Sequence, residues 1–112
     1  MTNVAEICHY ISRSGKDIFN DWLPGPKDAR IQAKIAVRID RLAAGNFGDC
    51  KPVGGDIYEL RIDWGPGYRI YYAIVARACI LLLCGGDKRS QRSDIRRAIA
   101  FSMDYEARTR KR

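Results

Sequence analysis

The stretch Ile57-Tyr58-Glu59-Leu60-Arg61-Ile62-Asp63, followed by Trp64-Gly65-Pro66-Gly67 and then Tyr68-Arg69-Ile70-Tyr71-Tyr72-Ala73-Ile74-Val75-Ala76, decides the fold class. Both flanks are rich in β-branched and aromatic residues and the residues between them are turn formers, so the stretch reads as two strands joined in a hairpin. Alternation places Glu59, Arg61 and Asp63 on one face of the first strand, and Tyr58, Leu60 and Ile62 on the other, which faces a core. Arg69, Tyr71 and Ala73 share a face of the second strand. A connection with an odd number of residues brings Arg61 and Arg69 to the same side and an even one separates them; the odd register is adopted here. One open face of the sheet then carries Glu59, Arg61, Arg69 and Tyr71. Cys79 to Cys84 reads as a third strand that completes an antiparallel meander, and the turn after it delivers Lys88 and Arg89 to a strand end.

Working outward, the segment from Pro26 to Gly45 carries Ile31, Ile35, Ile39 and Leu42 at helical spacing, within an arc of about 80°. Lys27, Arg30, Lys34, Arg38 and Arg41 fill a neighbouring arc, so one side of this helix packs and the adjacent side is a basic ridge. A shorter helix over Lys16–Leu23 ends at Pro24-Gly25-Pro26, and Glu6 to Ile11 reads as a first strand. Gly45 to Gly55, rich in Gly, Asn and Pro, reads as a loop. After Gly85-Gly86-Asp87 a last helix follows, with Ser90 as N-cap and Ile95, Ala98, Ile99 and Met103 as its apolar face. The order is β-α-α-β-β-β-α, an α+β fold with an antiparallel sheet covered on one face by helices. Residues 1–107 form a single domain and residues 108–112 a frayed basic tail.

The chain has 112 residues and a net charge of +7. Residues 1–56 hold 8 basic and 7 acidic side chains, and residues 57–112 hold 12 and 6, so the excess is concentrated late. A basic surface of this kind suits a phosphate backbone or an acidic protein partner. With 46% hydrophobic and 29% charged residues the chain is too apolar for disorder. Its longest apolar run, Ala78 to Gly86, spans nine residues, far short of the roughly 20 that cross a bilayer. With no secretory signal pattern either, the expectation is a cytoplasmic protein without a membrane partner. Cys8, Cys50, Cys79 and Cys84 show no metal-ligand spacing and read as packing residues, with Cys79 and Cys84 on opposite faces of their strand. His9 shares a face with Ile7 and Ile11 and reads as a core or edge residue.

Glu59, Arg61 and Arg69 admit two readings. They form either a cross-strand ion pair on a solvated sheet face, worth a few tenths of a kcal/mol, or a phosphate site in which arginines fork onto phosphate oxygens and Tyr71 stacks a base. The basic ridge likewise reads as a solvated face or as a track for a nucleic-acid backbone.

Three motifs in order then resemble a known family: Gly45-Asn46-Phe47-Gly48-Asp49 with Lys51-Pro52-Val53-Gly54-Gly55; Tyr58-Glu59-Leu60-Arg61-Ile62-Asp63 with Gly65-Pro66-Gly67-Tyr68-Arg69-Ile70-Tyr71; and Leu81-Leu82-Leu83-Cys84-Gly85-Gly86-Asp87-Lys88. Over roughly residues 16–105 the chain resembles the addiction-module killer proteins of the RelE/ParE toxin superfamily, on its HigB-like branch. The resemblance implies a RelE-like fold and a type II toxin that cleaves messenger RNA on the translating ribosome without metal or cofactor. It implies a cognate antitoxin, a helix-turn-helix protein like HigA, with operator DNA contacted only through that antitoxin. Arg69 matches the arginine most shared among such toxins, Arg61 lies where relatives carry a basic residue, and Lys88 with Arg89 matches their Lys-Arg after the last strand.

Two departures from the family pattern stand out. Lys88-Arg89-Ser90-Gln91 replaces the Lys-Ser-Thr-Gln of many relatives, keeping Gln91 as an RNA contact, and Lys88 to Ala100 holds neither the histidine nor the tyrosine that other members use for proton transfer. Glu59 is then the candidate base, with Lys88 or Arg89 as acid or electrostatic support. The rival expectations are a ParE-like inhibitor of DNA gyrase and a basic nucleic-acid-binding module without catalysis.

Overall fold

The computed structural model describes residues 5–23, 28–76 and 78–110. Five strands, β1 (Glu6–His9), β2 (Cys50–Gly54), β3 (Ile57–Ile62), β4 (Tyr68–Val75) and β5 (Cys79–Asp87), form one sheet in the order β1-β5-β4-β3-β2. Helices α1 (Ile18–Trp22) and α2 (Ala29–Ala43) precede β2, and a single 3₁₀ turn (Lys88–Ser90) leads from β5 into α3 (Gln91–Thr109).

Each helix start has a stated cause. Asp17 accepts from the Asn20 amide at the head of α1, and Asp28 accepts from the Ile31 amide at the head of α2, satisfying donors that the first turn leaves orphaned. α2 therefore begins after Asp28; Pro26 and Lys27 lie outside the described residues.

The observed sheet corrects the expected order in three ways. Cys50–Gly54 is an edge strand inside what reads as a loop, antiparallel to β3 with Lys51 opposite Glu59 and Pro52 opposite Tyr58. A proline and a glycine hide the β signal there, yet proline is tolerated on an edge, where no second partner needs its missing N–H. The sheet is also mixed, because β1 lies parallel to β5. Finally, helices cover both faces. α1 and α2 pack Phe19, Ile31, Ile35 and Leu42 onto Leu60, Ile62, Ile70, Tyr72, Ile80 and Leu82. On the opposite side, α3 packs Ile95, Ala98, Phe101 and Tyr105 onto Ile57, Tyr71, Ala73, Leu81, Leu83 and Cys84. Met103 falls beyond the edge of that stripe and is exposed. The unbroken apolar run of β5 marks a strand buried on both sides, which period-two alternation cannot signal.

Within β5 a bulge pairs Tyr71 with Cys84 and Tyr72 with Leu82, so Leu83 and Cys84 both turn toward α3. Cys79 and Cys84 consequently share a face instead of lying on opposite ones. Burial pushes the Cys84 thiol up to about 12, consistent with a packing residue. His9 sits at the edge, with Nδ1 2.7 Å from Asp17 Oδ2 and its ring edge-on to Phe19.

At the end of β5 two glycines admit neighbours from opposite sides. A Cβ on Gly85 would lie 2.3 Å from the Trp22 ring of α1, and one on Gly86 would lie 1.8 Å from Asp94 Oδ2 of α3. Gly85→Ala is therefore expected to lower stability by about 2 kcal/mol, a fall in Tm of roughly 10 °C, measurable by circular dichroism; an unchanged Tm would mean that the α1 contact is loose.

Candidate functional site

Residues 63–67 make a five-residue connection between β3 and β4, closed by Ile62 opposite Tyr68. This odd loop sets Arg61 directly opposite Arg69 and Glu59 directly opposite Tyr71, all on the side that α3 covers. Two guanidiniums facing each other on adjacent strands repel. The carboxylate beneath them compensates: Arg61 Nε donates to Glu59 Oε1 at 3.0 Å, while the Tyr71 hydroxyl and Gln91 Nε2 donate to Oε2 at 2.9 and 2.7 Å.

Glu59 and Tyr71 are completely buried and Arg69 is 9% exposed, so this face is closed, not open. Burial pushes the Glu59 carboxyl up, but the bonds from Arg61, Tyr71 and Gln91 and the charge of Arg69 outweigh it and hold the group below its ordinary value. The base role considered for Glu59 does not fit: its oxygens are occupied, it has no solvent-facing surface, and a carboxyl of lowered pKa is a weak base. Nor can Tyr71 stack a base, since no part of its ring is exposed.

The turn brings in a third cation. Gly65 and Gly67 have positive φ, and the Lys88 amide donates to the Gly67 carbonyl at 3.1 Å. A Cβ on Gly67 would stand 3.2 Å from Lys88 Cδ, so glycine lets the loop lie against the lysine. Between them is a groove of about 270 Å³ lined by Asp49, Arg61, Asp63, Pro66, Arg69 and Lys88. Arg69 Nε is buried without a hydrogen-bond partner, a donor whose desolvation is uncompensated within the chain. Three cations, Arg61, Arg69 and Lys88, outnumber the two carboxylates of Asp49 and Asp63 in the lining, a balance that suits an anion such as a phosphate.

Other candidates lie elsewhere. The Arg89 side chain is 89% exposed and pairs with Asp87 at 3.4 Å, outside the groove. Along α2 the ridge is divided. Lys34 Nζ sits 4.5 Å and Arg30 Cζ 5.9 Å from the Trp64 ring centre, while Arg38 Nη1 donates to the Arg61 carbonyl at 2.8 Å. Arg41 lines a neighbouring groove of about 480 Å³ with Lys34, Val37, Arg38, Ile62 and Asp63.

Three contributors escaped the sequence reading. Trp64, taken as a turn residue, is a platform for two ridge cations. Asp87 caps the 3₁₀ turn by accepting from the Arg89 and Ser90 amides; Ser90 holds the N-cap position of α3 as expected, but its hydroxyl makes no capping bond and donates to Asp94 instead. Asp94 is itself buried over Gly86; its spacing of four from Ser90 was the available signal. α3 runs to Thr109, so the boundary drawn at residue 108 falls inside its last turn, where Arg108 pairs with Asp104 at 2.8 Å.

Over the described residues these features define an α+β protein with a mixed five-stranded sheet, three α-helices and a groove at one end of the β3–β4 hairpin in which cations outnumber carboxylates, an arrangement consistent with a RelE-like fold in general. Residues 25–100 match the phage-derived Gp49-like proteins (DUF891), and the chain belongs to that family, a toxin-like family related to addiction modules. It is similar to a Haemophilus influenzae protein described as "Uncharacterized protein", at 51% identity over 80 residues, which is 71% of this chain and 81% of that protein. Among the described residues no helix is long and apolar enough to cross a membrane.

Proposed function

We propose that this chain is the toxin of a type II toxin–antitoxin pair and that it cleaves messenger RNA on the translating ribosome. The observation that carries the reading is the opposed Arg61–Arg69 pair, with Lys88 across the groove and a single buried carboxylate beneath. Fully formed electrostatic support that faces a groove is what phosphate chemistry uses.

The reaction is attack of a ribose 2′-oxygen on the adjacent phosphate: the 2′-hydroxyl proton passes to solvent water, the bond from phosphorus to the 5′-oxygen of the next nucleotide breaks, that oxygen takes a proton from water and leaves as a hydroxyl, and a 2′,3′-cyclic phosphate remains. Arg69 and Arg61 stabilise the charge on the transferring phosphate, and Lys88 neutralises the charge that builds on the leaving oxygen. Glu59 and Gln91 are positioning residues that hold Arg61. The groove holds no histidine, so catalysis rests on positioning and charge, with the ribosome completing the geometry. Arg30, Lys34, Arg38 and Arg41 supply a track for the RNA backbone beside the hairpin, a role extended to Lys27 from its place in the sequence. The antitoxin, a helix-turn-helix protein, competes for these basic surfaces and alone contacts operator DNA.

The decisive test is primer extension on a defined message with purified protein, with and without ribosomes. Cleavage confined to the ribosome-containing reaction is expected. No cleavage in either, together with inhibition of supercoiling by gyrase, would replace this reading with a ParE-like one.

A further inference from the structure

A second cluster lies at the other edge of the sheet, beyond β5. β1 runs parallel to β5 with Glu6 opposite Cys79 and Cys8 opposite Leu81. Residues two apart on a strand share a face, so Glu6, Cys8 and Cys79 all project to the α3 side, where Cys8 packs beneath that helix. The two sulfurs and a Glu6 carboxylate oxygen lie within 4.8 Å of one another. Both cysteines are free; Cys79 is buried, Cys8 half-buried and Glu6 exposed, which gives the cluster a sheltered floor and an open entrance. Tyr105 of α3 adjoins it, close enough for charge on these groups to act on its hydroxyl.

We propose that Glu6, Cys8 and Cys79 form a binding site for a thiophilic divalent cation, with Zn²⁺ the best match. Two sulfurs with one oxygen favour zinc over magnesium or calcium, which take all-oxygen shells. A tetrahedral zinc with bonds of about 2.3 Å to sulfur and about 2.1 Å to oxygen needs ligand atoms roughly 3.5–3.8 Å apart. The upper bound on the present spacing, 4.8 Å, exceeds that by about 1 Å. Water fills the fourth position. On binding, the ion displaces a proton from each thiol and no electron is transferred. The consequence is a clamp between the four-residue edge strand β1 and its interior neighbour β5. This departs from the expectation that all four cysteines only pack, and it is independent of the ribonuclease reading.

The test is a Co²⁺ titration of the reduced, metal-free full chain, followed by absorbance and then by displacement with Zn²⁺. Wild-type protein is expected to bind one equivalent, with a sulfur-to-cobalt charge-transfer band and tetrahedral d–d bands that Zn²⁺ abolishes, and saturating Zn²⁺ is expected to raise Tm by roughly 10 °C. Cys8→Ser is expected to halve the charge-transfer band and weaken binding at least 100-fold, whereas Cys50→Ser leaves both unchanged. Glu6→Gln, at an exposed position, provides a ligand variant that keeps the fold even if Cys79→Ser does not, and is expected to weaken binding about tenfold. No charge-transfer band with wild type, a band indifferent to Cys8→Ser and Glu6→Gln, or a Cys8–Cys79 disulfide in a protein that takes up no metal when reduced would overturn the proposal.

Discussion

Arg69→Ala is expected to reduce ribosome-dependent cleavage by about 10²–10³-fold, the usual loss when one pre-positioned donor to a developing negative charge is removed. The same change is expected to leave Tm unchanged or slightly raised. Arg69 faces Arg61 directly, and relief of that repulsion between like charges offsets the lost attraction of Arg69 for the buried Glu59 carboxylate. Loss of activity without loss of stability is the signature of a residue kept for its ligand. Arg69→Lys is expected to fall between, because a lysine keeps the charge and loses the fork. Primer extension on ribosomes and thermal unfolding by circular dichroism measure the two sides. Full cleavage by Arg69→Ala would remove the groove from the reaction, and a large fall in Tm would make Arg69 a structural residue.

Glu59→Ala is expected to act the other way, through the fold. It leaves the buried Tyr71 hydroxyl without an acceptor and opens a cavity below Arg61, together a loss of about 3 kcal/mol and a fall in Tm of roughly 15 °C. Adding Tyr71→Phe to Glu59→Ala is expected to restore part of that loss, since the orphaned hydroxyl goes with it. Additive losses would mean that the hydroxyl finds another partner.

Acidity offers an independent check. The folded Glu59 carboxyl is held below its unfolded value, so folding favours the charged form, and its stabilising effect is complete above the unfolded value of about 4.3. The effect is lost as pH falls through the lower folded value. Chemical denaturation across the acid range should show wild type losing stability there, with Glu59→Gln losing less; identical slopes would mean that another carboxylate governs the acid limb.

Much of the fold was readable because the deciding residues are periodic. The β3–β4 hairpin announces itself by alternation, whereas the parity of its loop, which aligns Arg61 with Arg69, is fixed only by the observed register. α2 declares its buried side through Ile31, Ile35 and Leu42. What escaped was set by partners far along the chain. β2 carries Pro52 and Gly54 and is a strand only because β3 lends it a ladder. The face thought open is closed by α3, an arrangement that no local pattern in β3 or β4 encodes. At the site, residue types identified Arg61, Arg69 and Lys88 as companions, but reading their shared face as open to solvent made a solvent-facing base of Glu59 and a stacking platform of Tyr71. Trp64 gathered Lys34 and Arg30 because the hairpin loop swings toward α2, a three-dimensional fact that a turn motif does not contain.

The paired glycines at the end of β5 have a mechanical side. There the wall between the two halves of the protein is one backbone thick, with an indole pressed on one surface and a carboxylate on the other. A push from the α1 side has no side-chain cushion to spend itself in before it reaches Asp94 and, through the start of α3, Gln91 and the carboxylate it holds. Gly86 also stands opposite Arg69 in the sheet, so this bare stretch of backbone is a direct neighbour of the groove.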